Sequence, residues 1–185
     1  MTNINQTIFW AFNDLAGRSA FGDFVIIFFE NYLAYILILV FLILLFVWKL
    51  PRLEKIACAV SAIVAGILSR GVIVESIRFF YHHPRPFVAL SDVHQLFPES
   101  GYSFPSGHAT FFFALSAVVY RYNKTAGTTF FILSGIMGLA RITAGVHYPF
   151  DIVGGAILGT LAGFISVTLV RHYFFPKRKT DSSTS

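Results

Sequence analysis

Residues 24–48 read FVIIFFENYLAYILILVFLILLFVW. Within this run only Glu30 and Asn31 are strongly polar, and both lie near its start. An α-helix rises about 1.5 Å per residue, so a helix of this length crosses the roughly 30 Å hydrocarbon core of a lipid bilayer. The stretch therefore predicts a membrane-spanning helix, with Glu30 and Asn31 at the membrane interface.

Four more apolar stretches follow in this chain of 185 residues, at 56–77, 105–122, 126–146 and 149–170. Hydrophobic residues make up 56% of the sequence and charged residues only 12%, an apolar excess that a soluble core of this size could not hide from water. We expect one domain over residues 1–185 with an all-α fold, a polytopic membrane bundle of five transmembrane helices. Three small residues on the last span should allow close helix packing: Gly155, Gly159 and Gly163.

The N-terminal region, residues 1–23, is predicted to form a helix that lies at the membrane interface. Its apolar residues recur at helical spacing, but the segment is too short and too polar to cross a bilayer. These apolar residues are Ile8, Phe9, Phe12 and Leu15. A frayed terminus is the alternative. At the other end, residues 172–185 are predicted to be a flexible, basic cytoplasmic tail.

The net charge of +5 does not indicate a nucleic-acid partner, because the basic residues fall in short clusters between apolar runs. Such clusters mark the cytoplasmic loops of membrane proteins. They follow the first, third and fifth spans: Lys49, Arg52, Lys55, Arg121, Lys124, Arg171, Lys177, Arg178 and Lys179. We therefore expect a multi-pass protein of the cell membrane, with a loop over residues 79–105 on the extracytoplasmic side.

Two charges lie inside the second span, Arg70 and Glu75. A charged residue within a span is costly unless it is paired, and such residues are often functional. A separation of five residues is unfavourable for a pair on one α-helix. Each side chain is thus predicted to meet another helix or the functional site, and a structural role for Arg70 remains as open as a catalytic one.

Three polar stretches stand at the mouths of the apolar segments. They read RFFYHHPRP at residues 78–86, PSGH at 105–108 and RITAGVHYPFD at 141–151, and the loop charges place all three on one side of the membrane. Grouped arginines repel unless an anion lies between them, and phosphate suits the guanidinium fork. Arg78, Arg85 and Arg141 therefore indicate a phosphate site, with anchoring to lipid headgroups as the alternative.

The PSGH stretch adds backbone donors to this site. Pro105 is suited to the first turn of a helix, so the N–H groups of Ser106, Gly107 and His108 would point at an anion. His147 and Asp151 are four residues apart and would share a helix face if the helix begins by His147, and the carboxylate would then fix the imidazole tautomer. Alternatively, Asp151 only starts the helix.

These groups together suggest phosphoryl transfer. His147, oriented by Asp151, would attack phosphorus, and His108 would protonate the leaving oxygen and later activate water. The arginines and helix amides would stabilise the developing charge. No metal and no cofactor is required by this scheme, and a metal site formed by His94, Asp92 and Glu99 with His108 lacks recognisable ligand spacing.

The order and spacing of these residues resemble the type 2 phosphatidic acid phosphatase family. Its motifs are K-x6-R-P, P-S-G-H and S-R-x5-H-x3-D, and this chain reads R-x6-R-P over 78–86, P-S-G-H over 105–108 and A-R-x5-H-x3-D over 140–151. Two positions depart from the pattern. Arg78 keeps the charge of the lysine but changes its shape, and Ala140 lacks a hydroxyl.

The resemblance implies a helical membrane phosphatase that forms a phosphohistidine at His147 and uses His108 as an acid. It also implies a set of phosphate-binding residues: Arg78, Arg85, Ser106, Gly107 and Arg141. Within the family, the short chain and residues 86–110 are similar to small bacterial undecaprenyl diphosphate phosphatases, which release phosphate from the lipid carrier of cell-wall synthesis. The expected substrate is thus a membrane lipid phosphate.

Two alternatives remain open from the sequence. The enzyme could act on a monoester, phosphatidic acid or phosphatidylglycerophosphate, or the protein could bind phospholipid headgroups without turnover. The second alternative is motivated by the departures at Arg78 and Ala140. The sequence does not indicate the oligomeric state.

Overall fold

The computed structural model describes residues 4–175, and within that range the chain forms helices and no strands. Two of the helices are long and continuous, because π-helical segments join their α-helical parts. In chain order the helices are α1 (Ile4–Asn13), α2 (Ala20–Val47), α3 (Arg52–Phe80), α4 (Pro86–Ala89), α5 (Gly107–Tyr122), α6 (Lys124–Thr143) and α7 (Pro149–Phe174).

Four of these helices are long and apolar enough to cross a membrane: α2, α3, α6 and α7. In α2 and α3 only 28% of the most apolar window is buried inside the protein, so most of these side chains face outward, as a bilayer requires. The remaining predicted span is α5, a helix of 16 residues that is largely buried among the others. At about 24 Å it is shorter than the hydrocarbon core. The all-helical membrane fold is confirmed, and the count of five spans stays a prediction.

One of the π-helical segments explains why the prediction for Arg70 and Glu75 was wrong. Arg70 and Glu75 were expected to reach separate partners, yet they form an ion pair with each other. Between them the helix is π-helical over Ile67–Val74, and a π-helix places residues five apart above one another. The spacing that is unfavourable on an α-helix is therefore favourable here. The other π segment, Phe28–Tyr32, lies in α2 and contains Glu30.

The N-terminal helix is shorter than the predicted interfacial region. It ends at Asn13, and α2 begins at Ala20 after a turn in which Gly17 has a φ of 75° and Ser19 caps the new helix. The buried side of α1 packs on α6 and α7, where the Phe9 ring lies 5.5 Å from that of Tyr148. The predicted tail at residues 172–185 lies mostly outside the described residues, and its first part, through Phe174, is the end of α7.

Helices α5 and α7 form the centre of the bundle, and the glycine stripe permits their close approach as predicted. A Cβ at Gly159 would lie 2.1 Å from the Thr110 carbonyl oxygen, and a Cβ at Gly163 would lie 2.4 Å from that of Ala114. Neither contact could be relieved without separating the two backbones. The glycines thus bring the PSGH helix, α5, directly against α7, which follows His147.

Candidate active site

The three polar stretches meet at one end of the bundle, where the loop between α3 and α5 folds over the helix ends. Arg85 organises this loop. Its Nε donates to the Gly101 carbonyl at 3.0 Å and its Nη2 to the Ser100 carbonyl at 2.9 Å, while its Nη1 donates to the Val146 carbonyl at 3.0 Å. The buried guanidinium therefore ties the loop to the turn that precedes α7.

The PSGH stretch starts α5 differently from the prediction. Ser106 is the N-cap residue, and the helix begins at Gly107, so Pro105 lies before the helix and not in its first turn. The Ser106 N–H is not free for an anion, because it donates to the Asp151 carbonyl at 3.1 Å. Gly107 and His108 remain in the first turn, where backbone N–H groups have no intrahelical acceptor.

Arg78 lies at the end of α3 and contacts the PSGH stretch. Its Nη2 donates to the Pro105 carbonyl at 3.0 Å, and its Nε is buried without a hydrogen-bond partner. Nearby, a Cβ at Gly107 would come within 2.7 Å of Arg70 Nε. The glycine therefore leaves room for a second arginine of α3 beside the start of α5.

The predicted nucleophile His147 precedes α7, whose first residue is Pro149. The helix therefore does not begin by His147, so the condition for a shared helix face with Asp151 is not met. Asp151 lies in the first turn of α7 and accepts from the Tyr148 N–H at 2.8 Å. The same oxygen, Asp151 Oδ2, lies 3.4 Å from His147 Nδ1. Asp151 is thus a helix-start residue and a neighbour of the imidazole.

Ser103 completes this group. Its hydroxyl donates to Asp151 Oδ2 at 2.5 Å and lies 3.4 Å from His147 Nδ1, and the residue is fully buried. With a carboxylate beside Nδ1, that nitrogen carries the proton in the neutral ring, and the lone pair is on Nε2. His147 Nε2 faces Arg85 Nη1 at 3.3 Å.

Burial controls the protonation states here. Desolvation lowers the pKa of His147 to about 4, although the hydrogen bond to Asp151 opposes this shift, so the imidazole is neutral at neutral pH. Burial also lowers the pKa of Arg85, to about 10, and the guanidinium remains charged. A neutral imidazole beside a fixed cation is suited to attack on an anionic phosphate.

Arg141, near the end of α6, is 1% exposed and lies between two carboxylates. Its Nη1 donates to Glu30 of α2, and its Nη2 donates to Glu99 Oε2 at 2.6 Å. Glu99 also lies 3.7 Å from Arg85 Nη2. Burial raises the pKa of Glu99, but Arg141 and Arg85 outweigh this, so its pKa is below the usual range. Ionised carboxylate therefore occupies the arginine cluster.

A cavity of about 240 Å³ opens at His108 and Gly107 and is also lined by Arg70 and Asn31. It adjoins a larger apolar groove of about 420 Å³ that runs between α2 and α3. The two share Ile38 and Phe111 as lining residues. His147 does not line the cavity. The cavity at His108 thus lies beside an apolar groove along the membrane-spanning helices α2 and α3.

The described residues hold no group of three or more histidine, cysteine, aspartate or glutamate side chains placed to bind a metal ion. His94 instead contacts the N-terminal helix: its backbone N–H donates to Asn13 Oδ1 at 3.0 Å, and its carbonyl accepts from Asn13 Nδ2 at 2.9 Å. Glu99 contacts Arg141. These two members of the considered metal set therefore have other partners.

A model of the PAP2 superfamily matches residues 57–175 of this chain, a range that contains all three polar stretches. The chain belongs to the PAP2 superfamily. It is 33% identical to the bacitracin transport permease protein BcrC of Bacillus licheniformis, over 87% of this chain and 78% of that protein. It is 32% identical to undecaprenyl-diphosphatase BcrC of Bacillus subtilis (strain 168), over 88% of this chain and 82% of that protein.

Solved structures of this superfamily share the fold. The crystal structure of LpxE from Aquifex aeolicus matches with a TM-score of 0.75 and 30% identity, over 90% of this chain and 96% of that one. A PAP2-type phosphatidylglycerolphosphate phosphatase from Bacillus subtilis matches with a TM-score of 0.64 and 21% identity, over 91% of this chain and 87% of that one. The chain is thus a multi-pass membrane lipid phosphatase of the PAP2 superfamily.

Three residues of this PAP2 site were not singled out from the sequence: Ser103, Glu99 as an arginine partner, and Glu30. Ser103 stands two residues before Pro105, and nothing in its spacing indicates contact with Asp151. Glu99 was considered only as a metal ligand. Glu30 was placed at the membrane interface, yet it is buried against Arg141. The signal that could have found it is its charge inside an apolar span.

Proposed function

We propose that this protein hydrolyses a lipid diphosphate, and specifically undecaprenyl diphosphate to undecaprenyl phosphate and phosphate. The observation that carries the proposal is the setting of His147. Its Nδ1 side contacts Asp151 and Ser103, and its Nε2 faces Arg85. A neutral, oriented imidazole beside a guanidinium is what nucleophilic attack on phosphorus requires.

In the proposed reaction, the Nε2 lone pair of His147 forms a bond to the terminal phosphorus, and the bond from phosphorus to the bridging oxygen breaks. His108 gives its proton to that leaving oxygen, and Arg78, Arg85 and Arg141 stabilise the charge on the transferring group. Water then attacks the phosphohistidine while His108 takes a proton from it. The P–N bond breaks, and phosphate leaves from a regenerated imidazole.

The lipid part of the proposal is supported by the cavity that adjoins the apolar groove. The groove offers a hydrocarbon chain a path along α2 and α3 while the headgroup lies at His108. The choice of an undecaprenyl chain is supported by the name of the Bacillus subtilis relative. The basic residues at the opposite end of the bundle, such as Arg52 and Arg171, support an active site on the extracytoplasmic side.

The test measures phosphate release by purified protein in detergent with EDTA present. The substrates are undecaprenyl diphosphate, undecaprenyl phosphate, phosphatidic acid and phosphatidylglycerophosphate. We expect EDTA-resistant release, fastest from the diphosphate and abolished in His147→Ala. The matched control is His172→Ala, which removes an exposed histidine near the other end of α7 and should retain full activity.

Other outcomes would each change a different part of the proposal. Faster release from a monoester would keep the mechanism and overturn the diphosphate assignment. Equal activity in His147→Ala would remove this residue as the nucleophile. Binding of the lipids without release by either protein would support the headgroup-binding alternative. Trapping of acid-labile, base-stable phosphate on the wild type, and not on His147→Ala, would test the covalent intermediate.

A further inference from the structure

We propose that Glu30 is a positioning residue that holds Arg141 in the orientation needed for phosphoryl transfer. The proposal rests on the function above, in which Arg141 binds the transferring phosphate. Arg141 is a long, flexible side chain, and its contribution to a transition state depends on a fixed guanidinium. The proposal assigns that fixation to a carboxylate from a different membrane helix.

Glu30 has the burial that such a role needs. It lies within α2, is 5% exposed, and its carboxylate contacts Arg141 Nη1. A buried carboxylate is costly unless it is paired, and removing one partner of a buried pair leaves an uncompensated charge. Glu30 therefore depends on Arg141 as its counter-charge, whereas Arg141 also contacts Glu99.

The three nitrogens of the Arg141 guanidinium have different partners. Nη1 contacts Glu30, Nη2 contacts Glu99, and Nε is buried without a hydrogen-bond partner. Glu99 belongs to the loop, and its side chain is 25% exposed, against 6% for that of Glu30. An incoming phosphate would replace Glu99, the more accessible carboxylate. Glu30 would then be the contact that keeps Arg141 in place while its Nε and Nη2 edge binds phosphate.

The backbone of α2 departs from α-helical geometry around Glu30. Residues Phe28–Tyr32 are π-helical, and the Leu33 N–H donates to the Phe28 carbonyl, five residues before it. This segment packs against α6, the helix that carries Arg141. Single π turns are rare and frequently occur at functional sites, because they shift the direction of one side chain relative to the helix. Here the shifted region contains Glu30.

The test is a double-mutant cycle between Glu30→Ala and Arg141→Ala, with Glu30→Gln as the conservative variant. If Glu30 acts through Arg141, Glu30→Ala should lower kcat about 30-fold with KM changed less than about 3-fold, since the lost interaction is made in the transition state. The inhibition constant of orthovanadate, which mimics the pentacoordinate phosphorus, should rise by a similar factor. Glu30→Gln should retain part of kcat, because its amide oxygen can still accept from Nη1.

The decisive measurement is the effect of Glu30→Ala in the Arg141→Ala background. There it should leave kcat unchanged and raise thermal stability, because the double variant no longer buries an unpaired carboxylate. The control Glu54→Gln breaks the ion pair that Glu54 makes with Arg171 at 2.6 Å at the opposite end of the bundle. Its kcat per folded molecule should equal that of wild type.

Several results would overturn the proposal. One is a drop in kcat that is as large in the Arg141→Ala background as in wild type; another is a loss of stability in Glu30→Ala with unchanged kcat in the folded fraction. If Glu30→Ala does not fold, Glu30→Leu, which fills more of the space and has no acceptor for Nη1, takes its place, and unchanged kcat and vanadate inhibition in Glu30→Leu reject the proposal. Full activity of Arg141→Ala would instead reject the phosphate-binding role of Arg141 in the proposed function.

Discussion

Each of the two π-helical segments found within residues 4–175 contains one member of a glutamate–arginine pair, and the two pairs differ in burial. Glu30 reaches Arg141 of another helix, and their side chains are 6% and 1% exposed. Arg70 and Glu75 lie on one helix, and their side chains are 46% and 57% exposed. Of these two glutamate–arginine pairs, one is therefore buried between helices and the other is exposed on a single helix.

The difference shows why a charge inside an apolar span cannot be interpreted from its position in the sequence alone. An ion pair that water reaches contributes little, because water screens the attraction and side-chain freedom is lost; Arg70 lines the open cavity at His108, where water has access. A buried pair is not a reliable source of stability either, but breaking it is strongly destabilising. We therefore expect mutations around Arg141 to have large effects and mutations around Glu75 to have small ones.

The largest effect is expected for Arg141→Ala. This change leaves Glu30 buried without its cation and removes a proposed phosphate ligand. We expect a loss of about 3–5 kcal/mol in the free energy of unfolding and a decrease in kcat of about 10²–10³-fold. Thermal denaturation in detergent and phosphate release check the two quantities. Retention of both would mean that the buried pair is no more important than the exposed one.

Acidification should destabilise the buried site around His147. The pKa of His147 is lowered by burial to about 4, whereas an unfolded histidine titrates near 6.5. Below pH ~6.5 the unfolded state takes up a proton that the folded state does not, so stability is highest above that pH. It should fall by up to about 3 kcal/mol as the pH drops toward 4.

This pH dependence is checked by unfolding temperatures measured between pH 4 and pH 8 for wild type and His147→Ala. The variant lacks the titrating ring, so its stability should decrease less on acidification. Parallel curves for the two proteins would contradict the assignment of the shift to His147.

Ser103→Ala extends the comparison to a neutral group in the same buried site. The change removes the hydroxyl that donates to Asp151 Oδ2 and leaves that carboxylate with a weaker set of partners. We expect a loss of about 1–3 kcal/mol and a roughly 10-fold lower kcat. The control is Ser166→Ala, a buried serine of α7 whose hydroxyl donates to the Ala162 carbonyl at 2.7 Å.

The outcome that would argue against Ser103 is a kcat equal to that of the Ser166→Ala control. A reduced kcat with an altered pH–rate profile would indicate that the hydroxyl orients the Asp151–His147 pair. A reduced stability alone would indicate only a packing role.

The smallest effect is expected for Glu75→Gln. The pair is about half exposed and lies on a single helix, so its loss should change the free energy of unfolding by less than about 1 kcal/mol. Phosphate release should remain within about 2-fold of wild type. If Glu75→Gln lowers the free energy of unfolding or the rate of phosphate release as much as Glu30→Gln does in parallel measurements, exposure does not explain the difference between the two pairs.

Much of the fold could be predicted because apolar length is a local property. The spans predicted at 24–48 and 149–170 correspond to Ala20–Val47 and Pro149–Phe174, and three motifs on one side of the spans do meet in space. The first residues of the helices were harder to predict from the sequence. Pro105 lies outside α5 because Ser106 is the N-cap residue. The Ser106 side chain caps the helix, and its N–H donates to the Asp151 carbonyl.

The partners of the charged residues could not be predicted, since they depend either on contacts between distant parts of the chain or on local helix geometry. Glu30 and Arg141 are separated by 111 positions, and their contact requires α2 to lie beside α6. The Arg70–Glu75 pair is local but depends on π-helical geometry, which hydrophobic periodicity does not encode. Sequence spacing therefore identified the types of residue in the site better than their arrangement.

The contact between α5 and α7 also bears on where a substrate can enter. At Gly159 and Gly163 no side chain separates the two backbones, so the two helices lie directly against each other. The helix that starts at the PSGH motif and the helix that follows His147 therefore leave no space between them at these positions for a substrate. The space open to a substrate lies elsewhere, in the cavity at His108 and in the apolar groove between α2 and α3.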